Sequence, residues 1–108
     1  MENIIQMIKS FRLPYAYHHF AEGNAPNPPF VVFFLPNYDY FAADGGVYFK
    51  QATLFIEIYT DKKDLTLEEK VEKVLDDHQH YYTKTETWIE SERLYLVHYQ
   101  MEVTVNGK

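Results

Sequence analysis

The chain has no cysteine, so disulfide bonds, thiolate zinc sites and a cysteine nucleophile are all excluded. It also has no long apolar run, because the longest, Phe30–Leu35, falls far short of the roughly 20 residues that a membrane-spanning helix needs. The first ten residues interleave Glu2, Gln6 and Lys9 with apolar side chains, which is unlike the apolar core of a signal peptide. We therefore expect a soluble protein that is made in the cytoplasm and does not contact a membrane.

Positive charge is scarce. Ten Lys and Arg residues stand against sixteen Asp and Glu residues, which gives a net charge of −6. Such a field repels phosphate, and the basic residues do not cluster, so we expect no specific binding to nucleic acid. Aromatic residues are abundant at 18% of the 108 positions, and 46% of the chain is apolar, which excludes intrinsic disorder. The length predicts a single domain, residues 1–108, that is too small for a deep cleft.

Hydrophobic periodicity predicts the element order α-β-β-α-β-β. The helices are expected over residues 2–11 and 67–79, and the strands over residues 30–35, 47–59, 82–89 and 93–105. A capping box from Thr66 to Glu69 is expected to begin the second helix, and Pro36-Asn37 to end the first strand with a turn. The last two strands are expected to pair as a hairpin. Residues 15–29 are predicted to form an aromatic and proline-rich connector, and residues 38–46 a loop with a Gly45-Gly46 break.

These elements predict an α+β fold, in which a four-stranded antiparallel or mixed sheet carries both helices on one face. The other face of the sheet then remains open. In the strand over residues 47–59, one side carries Leu54, Ile56 and Ile58, while the other alternates polar and aromatic residues from Gln51 to Tyr59. This mixed side indicates that the open face is either exposed to water or in contact with a partner.

No arrangement of residues predicts a catalytic site. The chain's serines are Ser10 and Ser91, and Ser91 lies between two glutamates, which disfavour an alkoxide nucleophile. Those glutamates, Glu90 and Glu92, lie in a tight acidic turn and are typical of solvated surface residues rather than of a glycosidase pair. We expect no catalytic residue and no cofactor.

The histidines supply the ligand types of a metal site but not the spacing. His78 and His80 are two positions apart, so they project to different sides of a helix, whereas helical ligands need a spacing of three or four. An imidazole near a helix C-terminus is also favourable by itself, because it faces the negative end of the helix dipole. We therefore predict no metal site. A metal-dependent enzyme built on these two residues with His18 and His19 remains an alternative.

Many aromatic residues lie outside the predicted strands and helices, where an isolated chain has least use for them. The residues that we expect to make protein–protein contacts are Phe20, Pro28, Pro29, Tyr38, Tyr40 and Phe41. Aromatic side chains suit interfaces, because they bring a large contact area with few rotatable bonds. The alternative is that these rings only cover the open end of a small core.

Five segments spread over nearly the whole chain carry a resemblance to known proteins. They are L-P-Y-A-Y-H-H-F-A-E-G (Leu13–Gly23), P-P-F (Pro28–Phe30), F-A-A-D-G-G-V-Y-F-K (Phe41–Lys50), E-I-Y-T-D-K-K-D (Glu57–Asp64) and W-I-E-S-E-R-L-Y (Trp88–Tyr95). In this combination and order they resemble small structural proteins from the head–tail region of long-tailed bacteriophages and of prophages in Gram-positive bacteria. The similarity is to tail-completion or tail-terminator proteins.

That resemblance implies a small sheet with helices on one face, and a non-enzymatic protein that caps or completes the phage tail. In such proteins six copies form a ring, so the implied partners are other copies of the chain, the tail tube and the head connector. The implied location is the virion, and the host cytoplasm during assembly, where the free chain could be a monomer. Two alternatives remain: another head–tail joining, neck or minor capsid protein, and a soluble host binding module that uses its open sheet face.

Overall fold

The computed structural model describes the backbone of residues 2–42 and 48–106, and the side chains of residues 3–37 and 51–104. Its helices and strands are α1 (Glu2–Lys9), β1 (Tyr15–Tyr17), β2 (Phe30–Ala42), β3 (Tyr48–Thr60), α2 (Leu65–Asp77), β4 (Tyr82–Ile89) and β5 (Leu94–Asn106). Within these residues neither helix has the length and apolar character needed to cross a membrane.

The strands form a five-stranded mixed sheet in the order β1-β2-β3-β5-β4. β1 runs parallel to β2, and every other neighbouring pair is antiparallel, including the predicted hairpin of β4 and β5. The α+β class and the mixed sheet are therefore confirmed, whereas the expected number of four strands was wrong. The additional strand is the start of the predicted connector. It is too short to show an alternating pattern, and only its pairing with β2 makes it a strand.

The strand β2 is much longer than the sequence predicted. A turn was expected at Pro36-Asn37, but the strand continues to Ala42, and its register with β3 shifts between Phe34 and Asn37. A bulge of this kind accommodates a proline, which has no N–H group to donate to the neighbouring strand. Residues 38–42 are consequently strand and not the predicted loop, while the Gly45-Gly46 break lies outside the described residues.

Both helices pack on the same face of the sheet, as predicted. α1 contributes Ile4, Met7 and Ile8 to this core, and α2 contributes Val71 and Leu75. They cover alternate residues of the three central strands: Val31, Phe33, Leu35, Ala52, Leu54, Ile56, Ile58, Val97, Tyr99, Met101 and Val103. Burying each larger side chain stabilises the fold by about 1.5–3 kcal/mol.

The helix α2 begins earlier than predicted because a different residue caps it. The carboxylate of Asp64 accepts a hydrogen bond from the backbone N–H of Leu67 at 3.0 Å, and Thr66 lies inside the first turn. The predicted capping box from Thr66 to Glu69 was therefore wrong. Aspartate is at least as good an N-cap as threonine, and its charge is favoured at the positive end of the helix dipole.

An ionic network centred on one buried carboxylate ties α2 to the edge of the sheet. The side chain of Glu68 is only 6% exposed, and it pairs with Lys63 at 2.7 Å and Lys84 at 2.8 Å. Lys84 also lies 2.6 Å from Glu72, which accepts a 2.7 Å hydrogen bond from the Tyr99 hydroxyl. Burial raises the pKa of Glu68, but the hydrogen bonds from the two lysines outweigh it, so the pKa is lowered. The α2 carboxylates thus hold β4, through Lys84, against the helix layer.

Candidate interaction surface on the open sheet face

The sheet face opposite the helices presents aromatic side chains around one carboxylate. Glu57 lies on the central strand β3, where its backbone is paired with Val32 on one side and His98 on the other. Phe55 and Tyr59 precede and follow it by two positions, so all three project from the same face. We call this surface the Glu57 patch. Its members are Phe30, Phe34, Phe55, Glu57, Tyr59 and His98.

The rings of the Glu57 patch contact one another across the strands. Phe30 stacks on Tyr59 with ring centroids 5.0 Å apart. Phe55 meets Phe34 edge-on at 5.2 Å, and meets the imidazole of His98 at 4.7 Å. These separations are typical of favourable aromatic pairs. All members are half-buried. The patch is therefore held by contacts among its own side chains, and part of its area remains exposed to solvent.

The carboxylate of Glu57 is held by two neighbours within the patch. The Tyr59 hydroxyl donates a hydrogen bond to its Oε1 at 3.1 Å, and the imidazole Nδ1 of His98 lies 3.1 Å from its Oε2. Burial, together with the charge of Glu57 and the hydrogen bond to it, raises the pKa of Tyr59 to about 12. The phenol therefore stays protonated at physiological pH and continues to donate.

The connector after β1 borders this surface. Phe20 packs edge-on against Phe30 with centroids 5.4 Å apart, and the His18 ring lies 5.3 Å from that of Phe34. Between these two contacts, Val32 is only 6% exposed although it belongs to the open face. The predicted contact residue Phe20 thus lies at the border of the Glu57 patch, against the chain's own sheet.

The other predicted contact residues are distributed along β2. Pro28 and Pro29 immediately precede the strand, and the first is half-buried while the second is exposed. Tyr38, Tyr40 and Phe41 lie in the second half of β2, with their backbones paired with β3; their side chains are outside those that the structure describes.

An exposed aromatic side chain on the edge strand β4 was missed by the sequence reasoning. Trp88 on β4 is 41% exposed and packs on Tyr95 with centroids 4.7 Å apart. At the opposite edge, Tyr15 and Tyr17 of β1 are exposed and pack on Phe33. The available signal for Trp88 was a single tryptophan in a strand whose other residues are mainly polar.

Four of the five histidines are arranged in two separate pairs. His18 and His19 are adjacent, with their Nδ1 atoms 2.9 Å apart. His78 and His80 have parallel rings with centroids 6.4 Å apart, and both line a cavity of about 350 Å³ beside α1 and the end of β5. Burial and the charge of His78 lower the pKa of His80. Within the described residues, no group of three or more histidine or acidic side chains is placed to hold a metal ion.

No protein-family model matches the chain. No curated protein matches it either. Among solved structures, the chain is similar to one from the virion of a native gene transfer agent particle, with a TM-score of 0.57 and 12% sequence identity. The similarity covers 94% of this chain and 84% of that one. At this identity it shows a shared fold over nearly the whole chain.

Proposed function

We propose that the chain is a non-enzymatic structural protein of a phage or phage-like particle, and that it caps or completes the tail at the head–tail junction. The observation that carries the proposal is the fold shared, over 94% of the chain, with a protein of a gene transfer agent virion. The head–tail position is supported by the five segments that resemble tail-completion and tail-terminator proteins. Both lines of support extend over nearly the whole chain rather than over a local motif.

The two edges of the sheet support a ring of identical subunits. β4 forms one edge. At the other edge β1 pairs only with Val31–Phe33, and within the described residues Asn37–Ala42 have no strand partner on that side. Because the two edges differ, contact between one edge of a copy and the other edge of the next is heterologous, and such contacts close into a ring when the rotation permits. We propose six copies, as in the proteins that the chain resembles.

Three of the six predicted contact residues fit this arrangement. Tyr38, Tyr40 and Phe41 lie in the part of β2 that pairs with β3 on one side and has no partner among the described strands on the other. Trp88 is exposed on β4 at the opposite edge. Aromatic residues and tryptophan in particular are enriched at the energetically important positions of interfaces. We therefore propose that these two groups of residues meet between neighbouring subunits.

The charge of the chain suits a subunit that assembles on a template. A net charge of −6 makes free copies repel one another in the host cytoplasm. The tail tube and the head connector would then supply the surfaces on which the ring forms. The proposed final location is the virion.

One observation favours a second candidate, a soluble host binding module: the Glu57 patch is ordered and half-exposed without any second chain. The neighbourhood of the gene separates the two proposals. Portal, capsid and tail-tube genes on either side favour the virion protein, and unrelated host genes favour the binding module.

Deleting the gene from the phage or prophage that encodes it tests the proposed function. Electron microscopy of the lysate should then show separate heads together with overlong or unattached tails. A plasmid copy of the gene should restore joined particles. Normal, infectious, joined particles from the deletion strain would contradict the proposal.

A further inference from the structure

We propose that the Glu57 patch is a binding site for an arginine side chain presented by a partner protein. The site consists of a carboxylate bordered by half-buried aromatic rings. This inference goes beyond the head–tail assignment, because it names the chemistry of the partner and is tested separately from phage assembly.

Among the described side chains, the carboxylate of Glu57 has no lysine or arginine partner, and its one possible cationic neighbour is the imidazole of His98. Its side chain is 18% exposed, and its hydrogen-bonding neighbours are the phenol of Tyr59 and the imidazole of His98. Among the described side chains, no lysine or arginine nitrogen lies within 4.0 Å of it. A partly buried carboxylate is stabilised most by a charge-assisted hydrogen bond, and it has more acceptor positions than these two neighbours use.

The ionic network on the other side of the sheet shows the contrast. Glu68 is also largely buried, but the ammonium groups of Lys63 and Lys84 lie within 2.8 Å of its oxygens. The described side chains thus supply two lysines to the buried carboxylate of the helix layer, and only an imidazole to Glu57. A cationic side chain from a partner could therefore pair with Glu57. Charge complementarity limits that side chain to arginine or lysine.

The rings around Glu57 favour arginine over lysine. Phe55 and Tyr59 lie about 7 Å from it along the strand, one on each side, and Phe30 and Phe34 flank it from β2. A planar guanidinium stacks on aromatic rings while it donates two parallel hydrogen bonds to a carboxylate, whereas an ammonium is a compact and strongly hydrated point charge. A stacked and paired arginine would use both features of the patch.

A titration of the purified chain followed by NMR tests the site directly. The probe is N-acetylarginine N-methylamide, and the matched probes are the corresponding citrulline and lysine derivatives. The arginine probe should cause saturable shifts in the ring signals of Phe55, Tyr59 and His98. The uncharged citrulline probe, which has nearly the same shape, should bind at least about tenfold more weakly. Equal binding of arginine and citrulline, or binding of lysine as tight as that of arginine, would overturn the proposal.

Two substitutions locate the binding on the patch. Glu57→Gln removes the charge but keeps oxygen and nitrogen atoms for Tyr59 and His98, and it should abolish saturable binding. The control is Glu102→Gln, which changes another open-face carboxylate, one that accepts a 2.9 Å hydrogen bond from Thr53. That variant should bind the arginine probe as the unaltered chain does.

A third variant keeps the test decisive if Glu57→Gln unfolds the chain. Phe55→Leu preserves the charge of Glu57 and an apolar side chain at position 55 but removes a ring. It should therefore weaken binding of the arginine probe several-fold, and binding of the lysine probe by less. Unchanged arginine binding in a folded Phe55→Leu or Glu57→Gln variant would refute the site. Failure of the head–tail proposal in the deletion experiment would leave this result untouched.

Discussion

The two faces of the sheet are buried to different degrees. On the helix-covered face, alternate residues of the central strands are almost completely buried. On the open face Val32 is buried, but the other described residues between them are half-exposed or exposed. The same strand, β3, contributes fully buried Ile56 to the first face and half-buried Phe55 and Glu57 to the second. The fold of the free chain is therefore specified mainly by one face, and the other face retains apolar area for a partner.

Replacing neighbouring residues of β3 should show the largest difference between the two faces in their contribution to the free energy of unfolding. Ile56→Ala leaves a cavity in the core and should lower the free energy of unfolding by about 2–5 kcal/mol. Phe55→Ala removes more atoms, but from a half-exposed position, and should cost about 1–2 kcal/mol. Urea denaturation followed by circular dichroism measures both. Equal losses would mean that the open face is as much a part of the core as the covered one.

The ionic network of the helix layer should have the next largest effect. Lys84→Met keeps the apolar stem but leaves Glu68 with a single cation, so it should lower the free energy of unfolding by about 1–3 kcal/mol. Lys73→Met is the matched control, because it breaks a pair with Asp77 whose side chains are 76% and 60% exposed. That loss should stay below about 0.5 kcal/mol. The same urea experiment measures both losses. Similar losses for the two variants would show that the burial of Glu68 does not increase the stability that its ion pairs contribute.

Features of the two faces that depend on the pattern within one strand were predictable from the sequence, whereas features that depend on neighbouring strands were not. The alternation in β3 predicted its covered side, and it also predicted the mixed character of its other side. It did not predict that His98 and Phe34 lie beside Glu57 and Phe55, because neighbours across strands depend on register. The burial of Glu68 was missed for the same reason, since its cations come from a turn and another strand.

Local sequence signals for the ends of strands were also misleading where pairing with a neighbouring strand decides the structure. Pro36 looked like the end of a strand, but β3 offers a partner along its whole length and a bulge accommodates the proline. β1 is a strand only because β2 lies beside it. Helix positions were better predicted, since the spacing of apolar residues and the caps are near one another in the sequence. Even there, the cap was Asp64 and not Thr66.

Acid should weaken the helix-covered side through Glu68. Its pKa is lower in the folded chain than the ordinary value of 4.5, so it stabilises the fold above that pH and loses this contribution as the pH falls through the lowered value. The stability advantage of the unaltered chain over Glu68→Gln should therefore shrink below about pH 4.5. Urea midpoints from pH 7 to pH 3 check this. The exposed Glu69→Gln variant is the control, and an advantage that does not change with pH would contradict the prediction.

Substitutions on the open edges should have the smallest effect on the free chain. Tyr40→Ala, Phe41→Ala and Trp88→Ala should weaken assembly more than they weaken folding, because we place these residues between subunits. Tyr81→Ala is the control, since Tyr81 is 96% exposed but lies just before β4 rather than on the sheet edge. Negative-stain microscopy of the protein with tail tubes measures ring formation, and thermal unfolding measures the chain alone. Unchanged assembly would show that the edge residues only cover their own sheet.

Taken together, the proposed virion role and the proposed arginine site on the Glu57 patch imply one central claim, that the open face becomes covered in the assembled particle. Hydroxyl-radical footprinting of the free chain and of purified particles, read by mass spectrometry, tests it most directly. Phe34, Phe55 and Tyr59 should be oxidised in the free chain and protected in particles, while Phe11 and Tyr99 of the covered core should be protected in both. Equal oxidation of the open face in the two samples, or particles that lack the chain, would contradict the account.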